Sequence, residues 1–122
     1  MIAGVGIDSL RIARMEQAMK REAFLNRVFT EKERDYLKKR ALAAQSAARI
    51  FCAKEAVLKA LSLGITDARL TDIEILHRES GAPYVVLHGE LAGKAAALHI
   101  SITHTEDTAS AVVILEKEEK AE

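Results

Sequence analysis

Three charged side chains stand out because the residues around them are mostly apolar or small. Asp8 follows the strand-like run IAGVGI, and Glu55 and Lys59 lie one helical turn apart in the segment RIFCAKEAVLKAL. Two carboxylate groups suit Mg²⁺, which takes one or two protein carboxylates and completes its octahedron with water and phosphate. A lysine beside such a site would balance phosphate charge. The three residues together therefore suggest metal-dependent phosphate chemistry.

Each of these residues also has a structural interpretation that involves no ligand. Glu55 and Lys59 have the i,i+4 spacing of an ordinary helical ion pair, worth about 0.3–0.5 kcal/mol on a surface. Asp8 is of a type favoured at a helix N-cap, and a helix is expected directly after it. From the residues alone, both interpretations stay open. A zinc site is not indicated, because the single cysteine and the scattered histidines lack ligand spacing.

Two elements must position the three side chains. Residues 49–61 contain no Gly or Pro, which predicts a helix, and this helix is apolar around most of its circumference and hence largely buried. Residues 2–7 alternate as a strand does, with Gly4, Gly6 and Asp8 on one face. Glycine on that face leaves room for another backbone to approach closely. Asp8 is thus expected at a strand end on an open face.

The remaining elements are predicted from periodicity, capping signals and turn residues. Thr30 and Glu33 form a capping box that starts a helix, with Phe29 as a hydrophobic staple, and Gly64 is expected to end the central helix. Further expected elements are helices over 9–21, 30–40 and 89–98, and strands over 70–77, 84–87, 99–104 and 109–115. Residues 41–48 are Ala-rich and are expected to continue into the central helix, with a break near Leu42. The predicted fold class is α+β, an antiparallel sheet packed against a long central helix. One domain is expected over 1–122, with 116–122 as a frayed tail.

Basic and histidine side chains offer weaker signals. Arg11, Arg14 and Arg21 form a stripe on the first predicted helix, which suggests either an acidic partner or a solvated face. His104 follows a strand that carries Ser101 and Thr103 on one face, so it either receives a phosphate or is an ordinary turn residue. His77 and His88 flank the predicted hairpin and are expected at the surface.

Bulk composition excludes several classes of protein. The 122 residues carry no net charge, and aromatic residues make up only 4%, which argues against a nucleic-acid binder that works by bulk charge or stacking. No apolar run approaches 18 residues, so no membrane span is expected. The single Cys52 cannot form an internal disulfide, which fits a reducing cytoplasm.

Longer motifs carry a family likeness. The pieces are GVGIDSLRIAR at 4–14, FTEKERDYL at 29–37, FCAKEAVLKAL at 51–61, SGAPYVVLHG at 80–89 and SITHTEDTASAVV at 101–113. With this order and spacing, the chain resembles the holo-acyl-carrier-protein synthases, the short type of 4′-phosphopantetheinyl transferase. The resemblance covers nearly the whole chain.

The resemblance implies an activity and a set of roles. The family moves the phosphopantetheine arm of coenzyme A to a serine of apo acyl carrier protein and releases 3′,5′-ADP. Asp8 and Glu55 would hold Mg²⁺, and Lys59 would lie by the coenzyme phosphates. The first helix would dock the acidic carrier through Arg14 and Arg21, and the chain would form a homotrimer with sites between subunits. Coenzyme contacts are implied for Ser80, Gly81, Pro83, His104 and Thr105.

Two points stay open within this interpretation. The family often has arginine directly before the Phe of its FxxKEA piece, but Ile50 stands there and Arg49 is one step back. The acceptor of the serine proton is either Glu55 or a water held by the metal. A rival hypothesis is a non-catalytic trimer that docks an acidic partner through Arg11, Arg14 and Arg21, although such a module has no use for the Asp8, Glu55 and Lys59 set.

Overall fold

The computed structural model describes residues 1–64, 66–93 and 97–117. The strands are β1 (Ile2–Arg11), β2 (Ile73–His77), β3 (Pro83–Leu87), β4 (Ala97–His104) and β5 (Thr108–Glu116). The α-helices are α1 (Ile12–Ala18), α2 (Glu22–Val28), α3 (Glu31–Lys39) and α4 (Ala44–Ala60), and single 3₁₀ turns span Leu70–Asp72 and Gly89–Leu91. In these ranges, no helix combines the length and the apolar character that crossing a membrane requires.

The architecture is α+β, as predicted. One antiparallel sheet has the strand order β1-β5-β4 and packs against α4, and a second antiparallel sheet consists of the β2–β3 hairpin. Helix α4 is 17 residues long and buries side chains around most of its circumference. This confirms the long central helix and the hydrophobic pattern that predicted it.

Glycines on β1 bring the sheet against the central helix. A Cβ at Gly4 would lie 2.0 Å from the carbonyl oxygen of Ala60, and one at Gly6 would lie 1.8 Å from that of Ala56. Both distances are far below van der Waals contact, so only glycine allows this approach. The predicted close approach of a second backbone is confirmed. Its consequence is that Asp8, two residues beyond Gly6, faces α4.

The first predicted helix is wrong in its bounds. Strand β1 extends to Arg11, because residues 9–11 pair with Ser110, Ala109 and Thr108 of β5, and this pairing overrides the local helical pattern. Asp8 therefore lies inside a strand and is not a helix N-cap. The chain then forms two short helices, α1 and α2, separated at Arg21. Consequently Arg11 lies at the end of β1, Arg14 lies in α1 and Arg21 lies in the connection before α2, so they do not line one helix face.

The ends of the longer helices show which local signals hold. The capping box of Thr30 and Glu33 is present, but Phe29 has no apolar partner for a hydrophobic staple, because the N4 position is Arg34. Helix α4 ends at Ala60, and Ser62 adopts a left-handed conformation with φ 59°. The N–H groups of Ser62 and Leu63 cap the helix by donating to Lys59 and Leu58. The prediction that Gly64 ends this helix is therefore wrong.

The C-terminal half follows most of the predicted strands, but residues 70–72, predicted as the start of a strand, form a 3₁₀ turn. The hairpin pairs Ile73 with Leu87 and His77 with Pro83, and the strand pair β4–β5 is also as predicted. The helix expected over 89–98 is absent from the described part, where a 3₁₀ turn is followed by the start of β4 at Ala97. Residues 116 and 117 do not belong to the frayed tail predicted over 116–122, because Glu116 ends β5 and the N–H of Lys117 donates to the carbonyl of Met1. Residues 118–122 lie outside the described ranges.

Candidate active site

Asp8 and Lys59 meet where β1 crosses the C-terminal half of α4. The Lys59 ammonium lies 3.3 Å from Oδ1 of Asp8 and donates to the carbonyl oxygen of Ile7 at 2.9 Å. About half of the Lys59 side chain is exposed, whereas one fifth of Asp8 is. The pair therefore borders solvent, so a dissolved ligand can reach it.

Glu55 lies beside this pair but is not ion-paired with Lys59. Its Oε1 atom is buried and has no hydrogen-bond partner. Burial and the negative charge of Asp8 raise the pKa of Glu55, and Lys59 partly opposes them. The ordinary i,i+4 pair is thus wrong for this helix, because the Lys59 ammonium turns to Asp8 instead. A buried carboxylate oxygen without a donor is costly unless a ligand supplies the missing positive charge.

Cys52 completes the wall of this cluster from the preceding turn of α4. Its thiol is fully buried and donates to the carbonyl oxygen of Ala109 at 3.4 Å. Burial, and then the nearby negative charge of Asp8, raise its pKa to about 12. The sulfur is therefore a neutral thiol at physiological pH and offers no anionic ligand to a metal.

We expect Cys52 to be unreactive in the folded protein. A thiol reagent such as Ellman's reagent at pH 8 should label Cys52 slowly in the native chain and rapidly in guanidinium, because only the unfolded thiol ionises readily. The folded pKa is raised, so this group stabilises the fold below about pH 9, and that contribution is lost between about pH 9 and 12. Cys52→Ala should lack this component of the pH dependence. Equal labelling rates in both states would contradict this account.

Asp8 and Glu55, which we call the acidic pair, fit a hard divalent cation. In the described ranges, no cluster of three or more His, Cys, Asp and Glu side chains could form a metal cage. Mg²⁺ does not need one, since it is usually held by one or two carboxylates plus water and substrate phosphate. The unpartnered oxygen of Glu55 beside Asp8 is the donor that such an ion would satisfy. The residues present thus fit the predicted Mg²⁺ and do not fit zinc.

A second cluster of polar side chains lies beside the N-terminal half of α4. His104, at the end of β4, is hydrogen bonded to the side-chain amide of Gln45 in the first turn of the helix. Thr105 begins the adjoining turn, where its N–H donates to the carbonyl of Thr108 at 2.7 Å. Gln45 precedes Glu55 by about 15 Å of helix axis. The structure therefore brings Asp8, Glu55 and Lys59 together and places His104 and Thr105 apart from them.

The β2–β3 hairpin contacts α3 through the side chains of His77 and Tyr36. Ser80 and Gly81 are exposed at the turn, Gly81 has φ 92°, and Pro83 starts β3 opposite His77. His77 is half-buried and stacks on Tyr36 at 4.3 Å, with the guanidinium of Arg40 3.8 Å from the same ring. Burial, and then the charges of Arg49 and Arg40, lower the pKa of His77. This corrects the prediction that His77 is a simple surface residue.

Arg49 does not occupy the position directly before Phe51, which Ile50 fills. Ile50 is buried in the core, so the position before Phe51 cannot carry a ligand-facing cation. Arg49 is one turn beyond Gln45, and its Nε atom is buried without a partner. One feature of the sequence could have indicated that Gln45 and Arg49 lie on the same face of α4, namely their i,i+4 spacing. Tyr36, Arg40 and Gln45 were not predicted as site residues.

A third surface surrounds α1 and α2. Arg14 and Arg21 are exposed and make no ion pair with any residue that the structure describes. Beside α2 is a cavity of about 560 Å³, with Phe24 and Phe51 on its walls and Arg27 and Arg69 at its borders. Arginines around an aromatic floor are typical of a surface that binds an acidic, partly apolar partner.

Comparison with known proteins gives one consistent result. A family model described as the 4′-phosphopantetheinyl transferase superfamily matches residues 4–114. The chain is 41% identical to a holo-[acyl-carrier-protein] synthase of Clostridium tetani over 97% of its length and 98% of the relative's. It is 38% identical to the protein of the same name from Fusobacterium nucleatum, over 94% and 99% of the two chains.

Solved structures agree with the sequence relatives. The holo-[acyl-carrier-protein] synthase of Neisseria meningitidis superposes with a TM-score of 0.88 at 30% identity, covering 96% of this chain and 100% of that one. The Bacillus anthracis synthase, solved in complex with CoA (3′,5′-ADP), has a TM-score of 0.84 at 33% identity, with 97% and 99% covered. The chain therefore belongs to the 4′-phosphopantetheinyl transferase superfamily.

Proposed function

We propose that this protein is a holo-acyl-carrier-protein synthase. It transfers the 4′-phosphopantetheine group of coenzyme A to a serine of apo acyl carrier protein in a Mg²⁺-dependent reaction that releases 3′,5′-ADP. The observation that carries the proposal is the buried, unpartnered oxygen of Glu55 near both Asp8 and Lys59. The names of the relatives and the coenzyme in the Bacillus anthracis structure support it.

The residues of the chain act mainly by position and charge. Asp8 and Glu55 would hold the metal, and Lys59 would place a positive charge beside the diphosphate. The carrier serine oxygen forms a bond to the β-phosphorus of coenzyme A, while the bond from that phosphorus to the bridging oxygen of the nucleotide breaks. The serine proton leaves to Glu55 or to water, and 3′,5′-ADP departs with the electron pair. Bound Mg²⁺ would supply charge neutralisation for the diphosphate.

The coenzyme is proposed to extend from the acidic pair toward the N-terminal half of α4. His104 and Thr105 would contact its phosphates, and Ser80, Gly81 and Pro83 would border the nucleotide. Arg49 would supply a phosphate contact in place of the arginine that Ile50 replaces, because its buried Nε lacks a partner. The guanidinium of Arg49 is suited to this role, since it stays charged and offers several donors to phosphate oxygens.

The carrier is proposed to dock on Arg14, Arg21 and the cavity between Phe24 and Phe51. Charge reversal by Arg14→Glu or Arg21→Glu should raise the KM for the apo carrier by about tenfold and leave the KM for coenzyme A unchanged. Added salt should weaken carrier binding by the wild-type protein more than by either variant. Steady-state kinetics at two salt concentrations test this. Lys38→Glu, an exposed charge reversal on α3, is the control, and an equal effect of that variant would contradict a specific surface.

The assembly is proposed to be a homotrimer built on the outer face of β1. Met1, Ile2, Val5 and Ile7 are between 59 and 68% exposed, and the register places Ile114 and Val112 of β5 beside Val5 and Ile7. An exposed apolar face of this kind is typical of a protein interface.

Val5→Glu should convert the trimer to monomers in sedimentation-velocity experiments, because the interface would bury an unpaired charge. Leu42→Glu, which alters an exposed apolar residue outside this face, should leave the assembly intact. A wild-type chain that sediments as a monomer at micromolar concentration would contradict the trimer.

We place the enzyme in the cytoplasm, in keeping with the free thiol of Cys52.

The proposed reaction is tested by incubating the protein with apo carrier, coenzyme A and Mg²⁺. Mass spectrometry should show the carrier heavier by one phosphopantetheine group, and chromatography should show 3′,5′-ADP in equal amount. EDTA should suppress both products, and excess Mg²⁺ should restore them. A carrier that binds but gains no mass would favour the non-catalytic docking module instead.

A further inference from the structure

The β2–β3 hairpin is joined to the rest of the molecule in an unusual way. It forms a sheet of its own, separate from β1-β5-β4. In the described part of the chain, no backbone hydrogen bond links this hairpin to the three-stranded sheet or to an α-helix. Its position relative to α4 must therefore be set by side chains.

Lys54 supplies two of these links from the middle of α4. Its ammonium group is fully buried and donates to the carbonyl oxygen of Ile73 at 2.7 Å and to that of Leu70 at 2.8 Å. The third bond runs to Oε1 of Glu33 at 2.7 Å. All three donors of the ammonium are thus used. One side chain of the central helix holds the start of the hairpin and the 3₁₀ turn before it.

Glu33 extends the same network from α3. One carboxylate oxygen accepts from the N–H of Thr30 at 2.8 Å, and the other accepts from the N–H of Ile75 at 2.8 Å. The hydroxyl of Thr30 donates to Glu74 at 2.6 Å. Residues 73, 74 and 75 of β2 are therefore each bonded to Lys54, Glu33 or Thr30. These bonds specify the register of the hairpin against α3 and α4.

Stability alone is a poor reason for this arrangement. Burial raises the pKa of Glu33 and lowers that of Lys54, so taking both charges out of water opposes the attraction between them. Apolar side chains of similar volume often stabilise a core as well as a buried ion pair does. Unlike apolar packing, the charged pair with its directed hydrogen bonds admits one geometry.

Lys54 also affects the orientation of Glu55 relative to Asp8. Successive residues of an α-helix point about 100° apart, so the bonds of Lys54 to the hairpin side fix the rotation of α4 that turns Glu55 toward Asp8. The same helix carries Lys59. The hairpin in turn ends at the Ser80–Pro83 turn, proposed above to border the nucleotide.

We propose that Lys54 is a positioning residue for coenzyme A. With Glu33, it holds the hairpin and its Ser80–Pro83 turn at a defined place relative to Glu55 and Lys59. The turn can then contact the nucleotide while Glu55 and Lys59 act at the diphosphate. This inference rests on the proposed function, because it assigns the hairpin to that substrate. Lys54 itself does not touch the reacting atoms.

The test is the double variant Lys54→Met with Glu33→Gln, which removes both charges without leaving one buried alone. The KM for coenzyme A should rise about 10- to 100-fold while kcat falls less, because the substrate is misplaced rather than the catalytic groups lost. Hydrogen exchange followed by mass spectrometry should be faster in residues 73–87 and unchanged in β1 and β5. If the double variant does not fold, Thr30→Ala serves instead, because it removes the hydroxyl bonded to Glu74 and leaves the Lys54–Glu33 pair intact; it should give smaller changes in the same direction.

The control is Val113→Ala, which loses buried methyl groups from β5 and takes no part in the network. It should lower the melting temperature without raising the KM for coenzyme A or selectively exposing the hairpin. A folded variant with unchanged hairpin exchange, or with faster exchange and an unchanged KM, would overturn the positioning role. If the wild-type protein transfers no phosphopantetheine, the proposed function fails on that assay, and hairpin exchange still decides whether Lys54 positions the hairpin.

Discussion

Asp8→Asn and Glu55→Gln should each lower the rate of phosphopantetheine transfer about a thousandfold while the protein stays folded. Each variant loses one of the two carboxylates proposed to hold Mg²⁺, and the charge stabilisation lost with the metal is worth several kcal/mol. The fold should survive, because the Asp8–Lys59 pair borders solvent and contributes little to stability. Transfer is measured at saturating coenzyme A and carrier, with circular dichroism to check folding.

Glu55→Gln carries an additional expectation about stability. The Glu55 carboxylate is partly buried with one oxygen unpartnered, so a neutral amide should leave the metal-free protein as stable as the wild type or more so. Asp35→Asn, which neutralises an exposed carboxylate on α3, is the matched control and should transfer normally. Normal turnover by either site variant in saturating Mg²⁺ would contradict the metal assignment.

Gly6→Ala should unfold or severely destabilise the protein. Its Cβ would lie 1.8 Å from the carbonyl oxygen of Ala56 and 2.8 Å from the backbone nitrogen of Ala60. Neither backbone group can move aside without separating β1 from α4. We expect a loss of about 3–5 kcal/mol in the free energy of unfolding, with loss of the Asp8–Glu55 arrangement in any molecules that remain folded.

Urea denaturation followed by circular dichroism measures this loss. Gly64→Ala is the matched control, because its Cβ would meet only the flexible side chain of Asp67, at 3.1 Å. That variant should change the free energy of unfolding by less than about 1 kcal/mol. If Gly6→Ala were as stable as Gly64→Ala, the packing of β1 on α4 would differ from the structure described above.

Local patterns predicted the parts of the fold whose signals lie within one element. The apolar circumference of α4, the capping box of Thr30 and Glu33, and the turn residues of the β2–β3 hairpin each determine their own element. The face shared by Gly4, Gly6 and Asp8 also predicted that a second backbone approaches β1. A sequence pattern of this kind works when the deciding contacts are close along the chain.

The errors arose where distant contacts decide the structure. Residues 9–11 have a helical pattern, but β5, about a hundred residues away, pairs with them as a strand. Lys54 and Glu33 have the residue types of a solvated surface, yet both are fully buried because each satisfies the other. Lys59 has the spacing to pair with Glu55 and turns to Asp8 instead. Such partners become visible only once the elements are packed together.

The site could be predicted in its residue types more than in its geometry. Asp8, Glu55 and Lys59 were singled out by charge within apolar segments, and the structure brings these three together. Gln45 and Tyr36 carry no comparable signal, because a glutamine or tyrosine at a helix surface is common. Their relation to His104 and His77 depends on the arrangement of α3, α4 and β4 in space.

The most direct test of the metal site is to titrate Mn²⁺, a spectroscopic substitute for Mg²⁺, into the protein in the presence of coenzyme A. Electron paramagnetic resonance should show stoichiometric binding to the wild type and to Asp35→Asn, with Mg²⁺ displacing the bound ion. Asp8→Asn and Glu55→Gln should both lose this binding. Mn²⁺ affinities in the two site variants equal to that of the wild type would contradict a cation held by Asp8 and Glu55.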